Sequence, residues 1–250
     1  MHRELHRAHI QNRGLSMPAT TDDRVDLLAK RCDSDLGDPD LWFRPDGYPH
    51  SLALCIIDSI ASTGAHYNSV KNVLRHYIEY RQAQGGNADT DNAGALLGTF
   101  TELGGPQQWA EMTNNRKPTS TSKGAPLKAA AIHEAAVQLR EQGINSTYDL
   151  FNAAPSKIEE AKKAWISVPG QRSGITWNYF LMLAGIGGVK ADRMVIRFVA
   201  DAIGSAPENV SPTDAATLVK AVAEKSGRNV THLDHAIWRF ESGRPVNQQH

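Results

Sequence analysis

A Pro-Gly turn, Val168-Pro169-Gly170-Gln171-Arg172-Ser173-Gly174, is followed 18 residues after Gly174 by Asp192, which opens the register Asp192-Arg193-Met194-Val195-Ile196-Arg197-Phe198. Ahead of the turn, Lys157 to Ser167 has a helical pattern; behind it, Ile175, Tyr179, Phe180, Leu183 and Ala184 form an apolar helical stripe. Such a turn between helices aims consecutive backbone N–H groups and a helix N-terminus outward, which suits a phosphate and ignores base identity. The expected chemistry is DNA positioning by Pro169, Gly170, Gln171, Arg172, Ser173 and Gly174, with Lys128, Lys190 and Arg193 as further contacts. Asp192 at a helix N-terminus faces a dipole that favours negative charge there, so it can stabilise a developing cation or activate a water. An ordinary N-cap would place an aspartate there too. Asp58 lies in the apolar run Leu52 to Ile60, where an unpaired carboxylate is costly to bury. It serves either as a pocket acid or as a structural cap or ion pair.

The elements that must position these residues read as almost wholly helical, so the expected class is all-α. Asp22 to Cys32 is a first helix and Gly37 to Pro49 a loop. Ser51 to Ser62 and His66 to Arg81 follow, broken near Thr63-Gly64, then Ala93 to Leu103 and Pro106 to Met112. Asn114 to Gly124 is a loop, Lys128 to Gln142 a helix closed by Gly143, and Ser146 to Phe151 a brief one. Ser156-x-x-Glu159 reads as the capping box of the helix leading into the turn. Ser211-Pro212-x-Asp214 starts Ala215 to Lys225, and Thr231-x-x-Asp234 starts His235 to Ser242.

Composition excludes several classes. The chain has 250 residues, 40% of them apolar, enough for a real core. No apolar stretch could span a bilayer and no secretory pattern opens the chain, so a cytoplasmic protein without a membrane partner is expected. Two cysteines, Cys32 and Cys55, cannot hold a four-cysteine metal or iron–sulfur site. The net charge of zero means that any DNA contact must be local.

On these residues the chain resembles the helix-hairpin-helix DNA glycosylase superfamily, the group of endonuclease III, MutY and AlkA. Val168 to Gly174, the helix to Gly185 and Val189-Lys190-Ala191-Asp192-Arg193-Met194-Val195-Ile196-Arg197 look like the family's hairpin, second helix and catalytic strip. Ser59 to Tyr77 looks like its early helix pair, and His232 to Arg244 like its closing helix. The resemblance implies a two-lobe helical fold with the active site between lobes: a leader at 1–21, a barrel at 50–188 ending in the hairpin, and a second helical domain of 22–49 plus 189–246. It implies a monomer acting on double-stranded DNA that carries a damaged or modified base.

The implied reaction is hydrolysis of the N-glycosidic bond of a flipped nucleotide, with Asp192 stabilising the oxocarbenium-like state and Asp58 protonating the departing base. Trp177, Tyr67 and Thr63 are the base-pocket candidates, with core packing the competing role for the aromatics. Gly174 stands where bifunctional members carry a Schiff-base lysine, so no lyase step is implied. No metal or iron–sulfur cofactor is implied either, the one exception being a monovalent cation at the hairpin carbonyls. A rival register, Leu183 to Lys190, would bring Lys190 near the nucleophile position. The alternative function is a noncatalytic DNA-binding protein that has kept the fold.

Overall fold

The computed structural model describes residues 20–247. Most of the leader expected over residues 1–21 lies outside them, and its last residue, Thr21, already belongs to a helix. Twelve α-helices run through the described residues: α1 (Thr21–Asp35), α2 (Leu52–Ala61), α3 (Tyr67–Ala83), α4 (Ala93–Leu103), α5 (Pro106–Met112), α6 (Lys128–Glu141), α7 (Thr147–Phe151), α8 (Pro155–Ser167), α9 (Ile175–Leu183), α10 (Arg193–Ala202), α11 (Pro212–Ser226) and α12 (Val230–Glu241). Among the described residues there is no strand; Trp42–Asn247 and Pro118–Leu127 form isolated antiparallel bridges. The class is all-α, as the periodicity predicts. Among the described residues no helix is long and apolar enough to cross a membrane.

Helix starts follow from side chains that accept orphan N–H groups. Thr20 and Asp23 make a reciprocal box at α1, and Ser51, Asn92, Ser146, Ser211 and Asp192 accept from the first turns of α2, α4, α7, α11 and α10. Two predicted starts are wrong. Pro155 opens α8 one residue after Ala154, so Ser156 lies inside the helix: a proline at the first position supplies the fixed φ and lacks a donor that would go unpaired. α12 is capped by Asn229, whose side chain accepts from Thr231 and His232, which frees Thr231 and Asp234 for work elsewhere.

Buried apolar side chains form two clusters. The first runs from Leu52 to Ala184 and is centred on α2, every residue of which is buried, packed on α3, α4, α6 and α9. The second joins Val25, Leu28, Cys32, Leu36 and Trp42 to residues between Val189 and Ile237. There α1 packs on α10 and α11, and the contact is edged by the ion pairs Arg24–Asp214, Arg31–Asp201 and Lys225–Asp26, with Arg228–Asp33 beside them.

The expected hairpin is present as α8, a turn at Val168–Gly174, and α9. Gln171 N–H donates to the Val168 carbonyl at 3.0 Å and Gly174 N–H to the Gln171 carbonyl at 3.0 Å. Gly170 takes φ +82°, and a Cβ there would stand 2.9 Å from Thr119 Cβ, so both backbone and space require glycine.

Candidate active site

The polar centre of the molecule is built around Asp58. Its side chain is fully buried on α2, where a carboxylate loses its hydration. The preceding loop supplies a partner: Tyr48 N–H donates to the Leu183 carbonyl at 2.6 Å, which anchors the chain, and the Tyr48 hydroxyl donates to Asp58 Oδ2 at 3.0 Å. Gly47, at φ +60°, permits this approach, because a Cβ there would collide with the Leu183 carbonyl. Asp58 Oδ1 is buried and has no hydrogen-bond partner. Burial raises the Asp58 pKa, against the opposing pull of Lys190 and the Tyr48 and Tyr179 hydroxyls.

Lys190 is the hub. Its ammonium donates to Ser62 Oγ at 3.1 Å and sits 3.5 Å from the centre of the Tyr179 ring, a cation–π contact. Although the residue is partly exposed, desolvation of this ammonium lowers its pKa, while Asp192, Asp58 and Asp234 raise it. The segment carrying it is tied to α12: Gly188 N–H donates to Thr231 Oγ1 at 3.2 Å and Lys190 N–H to Asp234 Oδ1 at 3.0 Å. Asp234 is buried, and desolvation, then the neighbouring Asp192, pushes its pKa well up.

Asp192 is half-buried and caps α10: Oδ1 accepts from Met194 N–H at 2.8 Å and, more weakly, from Val195 N–H at 3.4 Å. No protein donor reaches its Oδ2. Both predicted catalytic acids thus act through space on the same ammonium, Asp58 from the first cluster's α2 and Asp192 from the start of α10, and neither pairs with it directly. A carboxyl with a raised pKa, an amine with a lowered one and a half-exposed carboxylate can together hold or move a proton and stabilise a nearby positive charge.

The remaining predicted residues separate into presented and buried. Pro169, Gly170, Arg172 and Ser173 are exposed on the turn and Arg193 on α10, with Gly174 half-buried as the left-handed residue before α9. Gln171, by contrast, is buried: its Oε1 accepts from Thr176 Oγ1 at 2.7 Å and its Nε2 donates to the Pro169 carbonyl at 3.2 Å, bracing the turn from inside. Lys128 is also buried, its ammonium donating to the Ala61 carbonyl at 2.8 Å and the Thr63 carbonyl at 2.5 Å. It caps the end of α2 and is not offered to a phosphate; burial, then Lys117, brings its pKa down to about 8.

Trp177 is core, packed edge-on to Trp165 and beside Phe180, and so does not line a pocket. Tyr67 is half-buried, feels the Asp58 charge and meets Trp238 edge-on at 6.2 Å. Thr63 Oγ1 is buried without a partner. Two surface depressions, of about 280 and 270 Å³, lie by Leu97 and Val137 and by Asp201 and Pro207, and neither reaches Asp58 or Asp192.

Tyr48, Ser62 and Asp234 belong to the site and escape the sequence reading. Tyr48 sits in a loop without periodicity, and Asp234 imitates a capping residue. Only the burial of Asp58, which demands a donor, hints that a hydroxyl must come from elsewhere. Among the described residues no group of three or more His, Cys, Asp or Glu could hold a metal ion. At the hairpin the Val168, Pro169 and Gln171 carbonyls each accept one hydrogen bond.

Residues 26–242 match the model of a family described as a domain of unknown function (DUF8548). The chain belongs to this family. No curated protein and no solved structure matches it. The DUF8548 region contains α2 through α12, and with them the hairpin, Asp58, Lys190, Asp192 and Asp234.

Proposed function

We propose that this DUF8548 protein is a monofunctional DNA glycosylase: it binds duplex DNA containing a damaged or modified base, flips the nucleotide and hydrolyses its N-glycosidic bond. The observation that supports the reading is the electrostatic coupling of Asp58 and Asp192 through Lys190, in the chain segment that follows the α8–turn–α9 hairpin. The accompanying architecture is two helical lobes, 50–188 and 22–49 with 189–246, in a cytoplasmic monomer; the separate apolar clusters support that division. Asp192 Oδ2 faces the positive charge that grows on the sugar as the bond breaks, and orients the attacking water. Asp58, whose burial favours its protonated form, donates a proton to the departing base through the unpartnered carboxyl oxygen. Lys190, held inward on Tyr179 and Ser62, biases both acids through space and is not offered to the strand. The hairpin and Arg193 grip the strand, with Tyr67 and Thr63 at the rim of the base site.

The test is a panel of duplexes, each with one altered base, scored for abasic sites by strand breakage after alkali. Release from at least one duplex is expected, with Asp192→Asn reducing it about 10²–10³-fold while DNA affinity stays intact. Full activity of Asp192→Asn removes that residue from the mechanism, and borohydride trapping of the wild type on DNA replaces hydrolysis with an amine nucleophile. A noncatalytic DNA-binding protein is the second reading, favoured by one fact: the Lys190 ammonium neutralises part of the negative charge that cation stabilisation needs. Binding without release across the whole panel selects it.

A further inference from the structure

Among the lysines and arginines that make no ion pair within the described residues, four, Arg44, Lys71, Arg239 and Arg244, lie near one another. They come together where the loop after Trp42, the first turns of α3 and the end of α12 meet. Aromatic rings hold three of them, and Arg44 lies close enough to act on His232. The Arg239 guanidinium lies 3.7 Å from the centre of the Phe43 ring and also donates to the Pro245 carbonyl. Arg244 lies 4.8 Å from the centre of Trp238 and 5.7 Å from that of Tyr67, and the Lys71 ammonium 5.5 Å from that of Tyr67. The cations act on one another and on two histidines: beyond burial, Arg239, His232 and Arg244 bring His235 down to about 4, and Arg44 lowers His232. The acids at hand do not relieve them, since Glu241 pairs with Arg197 and Asp46 makes no ion pair.

We propose that Lys71, Arg239 and Arg244, held on Phe43, Tyr67 and Trp238, form with Arg44 a phosphodiester-binding surface that seats the backbone of duplex DNA beside the Asp58–Lys190 cluster. Like charges crowded without a counter-ion are stabilised by a polyanion. A guanidinium stacked on a ring is partly immobilised and weakly hydrated, and its in-plane N–H fork stays available to phosphate oxygens. Trp238 is already engaged by His235, stacked at 5.9 Å, by Arg244 and by Tyr67, so it stiffens the cations instead of stacking a base, and the contact ignores sequence. Tyr67 links this surface to Asp58, whose charge it feels. The choice of DNA as the polyanion rests on the function proposed above; the cationic surface itself does not.

The experiment measures affinity for an unmodified fluorescent duplex through a salt titration. Each neutralised phosphate contributes about 0.9 to the slope of log K against log salt, so the double variant Arg239→Gln with Arg244→Gln is expected to flatten it by about 2. Arg44→Gln with Lys71→Gln, both exposed and free of side-chain hydrogen bonds, is a second pair that leaves the fold intact and predicts the same loss. Lys30→Gln with Lys163→Gln, exposed elsewhere, is expected to leave the slope alone. An unchanged slope in the first two pairs, or an equal fall in the third, overturns the proposal. So does wild-type binding to phosphatidylserine vesicles without binding to the duplex. Base release is scored separately: its absence from every duplex, with the slope differences intact, defeats the glycosylase reading and leaves this surface standing.

Discussion

Asp234 accepts the Lys190 N–H while burial and Asp192 resist its ionisation. Above about pH 4 the unfolded carboxyl is charged, whereas the folded one retains its proton well beyond that point. Folding therefore takes up a proton, and this group's share of stability falls as the pH rises toward its folded pKa. Asp234→Asn, which keeps an acceptor for Lys190, is expected to raise the urea midpoint at neutral pH and to lose the advantage on acidification; a variant less stable at pH 7 refutes this. Lys128 behaves in the other sense. Its folded pKa of about 8 lies below the ordinary 10.5, so between those values only the unfolded chain holds the proton and stability rises with pH. Relative to Lys128→Met, the wild type should gain up to about 3 kcal/mol across that window, measured as the difference in unfolding free energy; a flat difference rules it out. Asp58 and Asp192 are legible as residues of interest because one breaks an apolar run and the other opens a helix. Lys128 misleads because a cation on an amphipathic helix looks the same whether it meets water, phosphate or the carbonyl end of another helix.

Helix ends decide how well the elements can be read. α4 and α5 match their predicted spans because Asn92, Gly104 and Pro106 punctuate them, each through a backbone preference that tertiary contacts do not alter. The start of α8 is missed because Pro155 opens the helix just ahead of a capping-box pattern, and that of α12 because Asn229 and Thr231 stand close together and only hydrogen bonding selects one. The turn between α8 and α9 is legible from Pro169-Gly170, but the inward set of Gln171 is not, since it depends on Thr176 in the first turn of α9. Gly170→Ala forces a side chain into the left-handed region, a cost of about 1–2 kcal/mol, and presses on Thr119. A lower thermal midpoint together with weaker duplex binding is expected. Unchanged binding in the folded variant would separate the turn from DNA.

At the scale of the whole molecule, zero net charge leaves any polyanion contact to local surfaces, and the two apolar clusters set what must close before such surfaces exist. The second cluster is invisible to periodicity alone, because its parts lie at opposite ends of the chain and each is amphipathic in an ordinary way. Leu28→Ala, fully buried on α1, is expected to cost about 2–5 kcal/mol, read by urea unfolding; a loss below that range would mean that α1 contributes little to the closure. The packing of α1 on α10 and α11 also has a kinetic side. During synthesis the apolar face of α1 stays uncovered until about 190 more residues have left the ribosome, since Asp214 and its neighbours must arrive first. Over that interval the face is open to chaperones and to aggregation, and Asp234 meets the Lys190 backbone only once α12 has been made.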